Sequence, residues 1–300
     1  MKIALAQLNL VVGDLVGNRE KILEYTETAK AKGCRLIVFP EMSITGYPAR
    51  DLLTRRGFVK AAARALKELE KNVQGIAAVI GGIESVPHKQ GQGRFLYSSA
   101  FYLDGQGGLD VWHKQQLSDN DLLDERRYFT PGTPTPLVEL DGISIGLSIG
   151  EDLDLNLAKS QADAGADLLI NIGNFPYFFD QETVTQGALS HVARRAKRPV
   201  IWVNQVGAND ETIFAGQSLV VDIDGNIAAR ARSFQEELLV VELHDGYWHG
   251  VMPPVTTNSI TMLHDALVIG IRDYMRKSGF EDVMLGLSGG LDSAVAACLA

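Results

Sequence analysis

The chain has 300 residues, 46% hydrophobic and 22% charged, the composition of an ordinary soluble globular protein of one large domain or two modest ones. Lys and Arg total 28 against 37 Asp and Glu, a net charge of −9 that argues against nucleic acid or an anionic membrane as partner. The two cysteines, Cys34 and Cys298, are too few and too far apart for a disulfide framework or a zinc site, and they point to a reducing compartment.

In chain order, Ile3–Leu8 reads as a buried strand, not as a signal peptide, because no basic region precedes a long apolar run. Asn18–Lys32 has helical spacing, with Asn18 as the expected cap and Gly33 as the stop. Leu36–Phe39 is a short strand closed by Pro40 and Glu41. Phe58–Asn72 reads as a helix and Ala77–Ile80 as a strand. The apolar stretch Gly75–Ile83 is too short to span a bilayer, and a cytoplasmic location is expected. Asp104-Gly105 separates Phe95–Leu103 from Leu109–His113, and Asp141-Gly142 separates Pro136–Leu140 from Ile143–Ile149; both pairs read as hairpins. Helices near Leu155–Ala164 and Glu182–Ala196 alternate with strands Leu168–Asn171 and Val200–Asn204, and Asp224-Gly225 marks a further turn. This is a mixed α/β pattern of βα units and antiparallel hairpins, which sheets packed face to face with helices outside would satisfy.

The pattern changes near Val241. Residues 244–258, HDGYWHGVMPPVTTN, are aperiodic and read as a linker. Ile260–Arg276 has helical period, Val283–Leu287 reads as a strand, and SGGLDS at 288–293 leads into the apolar helix SAVAACLA. A helix that apolar needs a sheet to cover it, so residues from about 259 onward are expected to open a second domain.

Several stretches carry the residue types that chemistry requires. In SGGLDS, glycines let a pyrophosphate approach the backbone at a helix N-terminus, and the serines can donate; the alternative is a plain glycine turn with Asp292 as cap. Glu41, just past a buried strand in LIVFPEMSITGYP, can be desolvated and tuned as a general base, or can be a surface glutamate. Lys114, at the end of a strand, can donate to an oxyanion or sit solvated. Glu125 in DERRYF reads equally as a second site carboxylate or as a partner of Arg126 or Arg127.

Together, strand-FPE, strand-HKQ with DERRYF, and strand-IGED resemble the nitrilase, or carbon–nitrogen hydrolase, superfamily over residues 1 to about 245. SGGLDS resembles the pyrophosphate loop of ATP pyrophosphatases. The combination, with GDLVGN at 13–18, FPEMSITGYPARDLL at 39–53 and WVNQVG at 202–207, resembles the glutamine-dependent NAD⁺ synthetase family. That resemblance implies a four-layer αββα sandwich followed by the opening βα unit of a Rossmann-like ATP-pyrophosphatase domain. It divides the chain into an amidase-type domain at 1–245, a linker at 246–258 and the start of a synthetase domain at 259–300.

The resemblance also implies roles. Glu41 would take a thiol proton, a cysteine would attack the glutamine amide, and Lys114 would stabilise the oxyanion, with Glu125 beside them. Ammonia would then displace AMP from adenylated nicotinate adenine dinucleotide. ATP and Mg²⁺ are implied for the synthetase portion, with the ATP loop at Gly286, Leu287, Ser288, Gly289, Gly290, Leu291, Asp292 and Ser293. No cofactor or metal site is expected in the amidase portion, and a homo-oligomer is implied.

The family motif at the nucleophile reads I-C-E-D, whereas this chain reads Ile149-Gly150-Glu151-Asp152. Ser148 lies two residues back, about 7 Å along a strand, too far to replace the thiol. The substrate-binding positions are Tyr47, Asn120, Phe175 and Gln181. At Asn120 the family carries a tyrosine, Phe175-Pro176 stands for its Ser-Pro pair, and Gln181 stands for a basic residue. These changes favour gradual loss of the pocket over a single replacement in an intact one. No glutaminase activity is expected, which leaves either an ammonia-dependent synthetase or a pseudo-amidase domain serving support or oligomer contacts. Glycine at 150 also suits a strained corner.

Overall fold

A computed structural model describes residues 1–88, 94–119, 123–134, 136–244, 247–253 and 259–300. The apolar run at the N-terminus forms β1 (Lys2–Gln7), and α1 (Leu15–Ala31) returns the chain to β2 (Leu36–Val38). Helix α2 (Arg56–Asn72) leads to β3 (Ala77–Pro87), and β4 (Arg94–Leu103) and β5 (Leu109–His113) follow as a meander. Pairing of β1 with β2 and of β2 with β3 is parallel, as βα crossovers require.

The second half repeats this logic. β6 (Val138–Leu140) and β7 (Ile143–Ile149) form the hairpin around Asp141-Gly142. After α3 (Leu155–Asp163) comes β8 (Leu168–Gly173), and after α4 (Gln181–Ala196) comes β9 (Val200–Asn204), with β7, β8 and β9 parallel. β10 (Val206–Asn209) and β11 (Thr212–Ala215) make a separate ribbon. β12 (Leu219–Val221), β13 (Ile227–Arg230), β14 (Glu237–His244) and β15 (Tyr247–His249) follow, and then α5 (Ser259–Ser278) and α6 (Leu291–Leu299).

The strands assemble into a seven-stranded sheet, β15-β14-β1-β2-β3-β4-β5, and a six-stranded sheet, β13-β12-β9-β8-β7-β6. Period-two alternation decides which residues meet. Ile3, Leu5, Leu36 and Val38 of the first sheet join Ile145, Leu147, Ile149, Ile170 and Ile172 of the second in the inter-sheet core. Ala4, Ala6, Ile37 and Phe39 face the other way, against the layer of α1 and α2. Leu169, Val200 and Trp202 pack against Leu189, Val192 and Ala193 of α4. The layers therefore run α–β–β–α, the nitrilase-type sandwich.

Four local expectations are corrected. Asp14, not Asn18, caps α1, its Oδ1 accepting from Gly17 N–H at 2.9 Å. Asn18 is buried inside the helix and pairs with the backbone of Val11 in both directions. β3 continues to Pro87, well past Ile80, because β4 pairs with it along that length. Within the stretch read as a linker, Tyr247–His249 extends the first sheet by pairing with β14; residues 245, 246 and 254–258 of that stretch lie outside the described residues. Val283–Leu287 forms no strand: a strand needs a neighbour's backbone groups, and among the described residues no strand lies beside it.

Helix α5 docks on the β10–β11 ribbon. Met262, Ala266 and Ile269 pack with Val206, Ala215 and Phe234. Buried Asp273 accepts from Asn9 Nδ2 (2.6 Å) and Ala208 N–H (2.9 Å), and Lys277 Nζ donates to Leu10 O, Ala208 O and Asn209 Oδ1. Helix α6 buries no residue.

Candidate active site

Glu41, Lys114 and Gly150 lie just beyond the ends of β2, β5 and β7, and the two facing sheets bring them together. The segment carrying Glu41 runs along β3, with Phe39 N–H donating to Val79 O (2.8 Å) and Ile44 N–H to Gly81 O (3.1 Å). Gly81 permits this approach: a Cβ there would collide with Pro40 O and lie 2.6 Å from Glu41 Cα. The Glu41 carboxylate accepts from Ser98 Oγ at 2.8 Å, and its backbone carbonyl accepts from Asn174 Nδ2 at 2.7 Å.

Lys114 is the centre of the cluster. Its Nζ lies 3.3 Å from Glu41 Oε1 and 2.7 Å from Glu151 Oε2, and it donates to Glu125 Oε1 at 2.9 Å. The Glu151 contact is a charge contact without hydrogen-bonding geometry. Glu41, Lys114 and Glu125 are each at most 2% exposed. Glu125 is thus the partner of Lys114, while Arg126 faces Asp119 and Arg127 faces Asp51. Tyr47 Oη also donates to Glu125 Oε1, at 3.2 Å, and Glu125 Oε2 accepts from Ser118 N–H at 2.9 Å.

One cation among three carboxylates sets the electrostatics. Burial, reinforced by Glu125 and Glu151, pushes Glu41 up to about 8 against the pull of Lys114 and Ser98. Burial alone would lower the Lys114 ammonium, but the three carboxylates outweigh it and hold the group above its ordinary value. Burial, with Glu125, Glu41 and Glu151, holds the Tyr47 phenol well above its usual range. Asp152 is pushed up to about 6 by burial, although the N–H groups of Gln116 and Gln115 donate to it. Those two donors fix the start of the loop that follows Lys114.

Gly150 opens a short 3-10 turn with φ +52°, a left-handed conformation that glycine adopts at little cost. Asn171 Nδ2 donates to its carbonyl at 3.0 Å. A Cβ built there would lie 2.7 Å from Lys114 Nζ and 3.2 Å from Glu41 Oε2. A side chain at 150 would therefore point between a carboxylate and an ammonium, where a nucleophile could pass its proton to the carboxylate and the ammonium could stabilise the oxyanion formed on the substrate carbonyl. The recess here is small, about 170 Å³ including the open space at its mouth, and Tyr47, Leu123, Asn174 and Phe175 help to line it.

The other expected residues divide. Tyr47 and Phe175 line the recess, and the Phe175 ring lies 5.6 Å from that of Trp202. Gln181 does not line it; its amide donates to Pro176 O at 2.9 Å at the start of α4. Asn120 lies outside the described residues. Ser148 is occupied, donating to Ile170 O and accepting from Asn171 Nδ2. The residues from Gly286 to Ser293 form an exposed segment apart from the recess, with Ser288 Oγ 3.0 Å from Ser293 Oγ. Gly289 has φ +84°, and neither it nor Gly286 has an atom within 4 Å of where a Cβ would sit. Sequence reasoning missed Ser98, Asn171 and Asn174, which have no local signature, and gave no role to Glu151, whose place beside Gly150 was the available signal.

Among the described residues, no group of three or more His, Cys, Asp or Glu side chains is disposed to hold a metal, and no helix is long and apolar enough to cross a membrane.

The carbon–nitrogen hydrolase family model matches residues 2–250, and the NAD synthase model matches residues 263–300. A glutamine-dependent NAD(+) synthetase from Synechocystis is 36% identical, with 99% of this chain and 56% of the relative covered. One from Acinetobacter baylyi is 33% identical, covering 100% and 55%. The solved structure of glutamine-dependent NAD+ synthetase from Acinetobacter baumannii in complex with ADP superposes with a TM-score of 0.93 at 35% identity, covering 100% of this chain and 56% of that one. An amidase from Nesterenkonia sp. superposes with a TM-score of 0.71 at 25% identity, covering 82% and 91%. The chain spans about half the length of the curated relatives it matches. By a family match over most of its residues, and by a fold shared with an amidase, the chain belongs to the carbon–nitrogen hydrolase family.

Proposed function

We propose that this chain is part of a glutamine-dependent NAD⁺ synthetase-type protein whose amidase-type site has lost glutamine hydrolysis. The amidase-type domain then runs through β15, to His249, and residues 259–300 are the start of the synthetase domain. The observation that carries the reading is Gly150. It supplies no nucleophile at the point between Glu41 and Lys114 where a side chain would have to react. Neither cysteine replaces it, since Cys34 is buried beyond α1 and Cys298 lies in α6. The recess is narrow, and the Phe175 ring takes part of its wall, so it has little space for a glutamine in this arrangement. Lys114, paired with buried Glu125 and with the part-exposed Glu151 and lying close to Glu41, then ties three loops together, the pseudo-amidase role.

The loop from Gly286 to Ser293 suits a nucleotide. The open backbone at Gly286 and Gly289 leaves room for phosphate oxygens, and the hydroxyls of Ser288 and Ser293 stand together to donate to them. ATP, with Mg²⁺, would supply the adenylyl group that activates nicotinate adenine dinucleotide, and free ammonia would supply the nitrogen. The protein works in the cytoplasm as a homo-oligomer on this reading. The test is NAD⁺ formation by the whole protein with either nitrogen source. Ammonium is expected to support synthesis and glutamine is not; synthesis on glutamine alone would overturn the proposal.

A further inference from the structure

A groove of about 720 Å³ opens on the outer face of the seven-stranded sheet, between α2 and strands β3, β4 and β5. Its floor is Ile83, Phe101 and Val111, and its wall is Val59, Ala63 and Leu66 of α2. It shares no lining residue with the recess at Gly150. The volume is that of a small-molecule site.

The rim is basic on a protein of net charge −9. Arg56, Lys60 and Lys67 line it from α2, and none of the three has an ion-pair or hydrogen-bond partner among the described residues. Arg94, on the opposite wall, is tied to Ser85. Of the two acids, Glu84 is taken by His113 Nε2 at 2.5 Å, and Glu70 lies at the far end of α2. Arg56 stands in a first turn that has no acid, against the helix dipole, while the last turn carries both Glu70 and Lys71. Arg56 and Glu70 are about 21 Å apart along the helix axis. Lys67 stands one turn from Glu70, so the groove has cations along its rim beside an apolar length, with a single carboxylate at the far end.

We propose that this groove binds a free acyl carboxylate, its head group at Arg56 and Lys60 and its chain laid along Val59, Leu66 and Phe101. The free cations on the rim select the sign of the head.

The test is calorimetric titration of the full chain with decanoate below its micelle-forming concentration. Decyltrimethylammonium and anionic phosphatidylglycerol vesicles serve as comparison ligands. Saturable binding of decanoate is expected, weakened about tenfold or more in the Arg56→Glu, Lys60→Glu double variant. Leu66→Glu is expected to abolish it, with circular dichroism confirming that both variants fold. The proposal is overturned by absence of saturable binding, by equal binding of the cationic amphiphile, by variants that bind as the parent does, or by binding to vesicles only. A rim variant that disperses an oligomer would instead assign the groove to a second copy of the chain, and would also overturn it.

Discussion

Gly150 concentrates two effects in one residue. Its φ of +52° strains any other side chain, and a Cβ would press on Lys114 Nζ at 2.7 Å, the mobile end of a long side chain. Gly150→Cys is therefore expected to fold and to lose about 1–3 kcal/mol, nearly all of it from backbone conformation. Urea unfolding measures this; a gain in stability would contradict the strain argument. Beside it, Glu41 holds its proton up to about pH 8 in the fold, whereas an unperturbed glutamate releases it near 4.5. Between those values the folded protein binds a proton that the unfolded chain lacks, so stability falls as pH rises through the window. Asp152 adds the same sign only up to about pH 6. Glu41→Gln should flatten the dependence between pH 6 and 8, read from urea midpoints; a variant as pH-sensitive as the parent would refute the assignment.

Two elements hold the site and its surroundings in place from a distance. β3 carries Gly81 under the Glu41 segment, so Gly81→Ala must push that segment off the sheet. A loss of about 1–3 kcal/mol is expected from overpacking, and unchanged thermal stability would show that the segment yields freely. Helix α5 is held by Asp273, which is 1% exposed and lies near both Arg276 and Lys277. Asp273→Ala leaves Lys277 buried without its carboxylate, at a cost of about 3–5 kcal/mol. Hydrogen exchange should then speed up across α5 more than across β1; equal protection in both would show that Asp273 does not anchor the helix. The elements themselves are largely legible in the sequence, because apolar runs and Asp-Gly turns are local signals. Val283–Leu287 is not, since a strand exists only with a partner. The cap at Asp14 is hidden because Asp14 and Asn18 carry the same capping chemistry four residues apart.

At the scale of the whole molecule, Glu41, Lys114 and Glu125 can be named from sequence only through their combined motifs. Taken singly, Glu41 and Lys114 read more readily as surface residues, and Glu125 as readily as a partner of Arg126 or Arg127. What brings them together is the stacking of two sheets, and Ser98, Asn171 and Asn174 join them only through that stacking. The proposed loss of a thiol at Gly150 is the reverse case, legible at once as a glycine inside a motif. The most direct test of its consequence is glutamate release from glutamine by the whole protein, with ammonium-dependent NAD⁺ formation by the same preparation as the control. No glutamate above the protein-free blank is expected while ammonium supports synthesis. Sustained glutamate release that tracks the protein through purification would contradict the account.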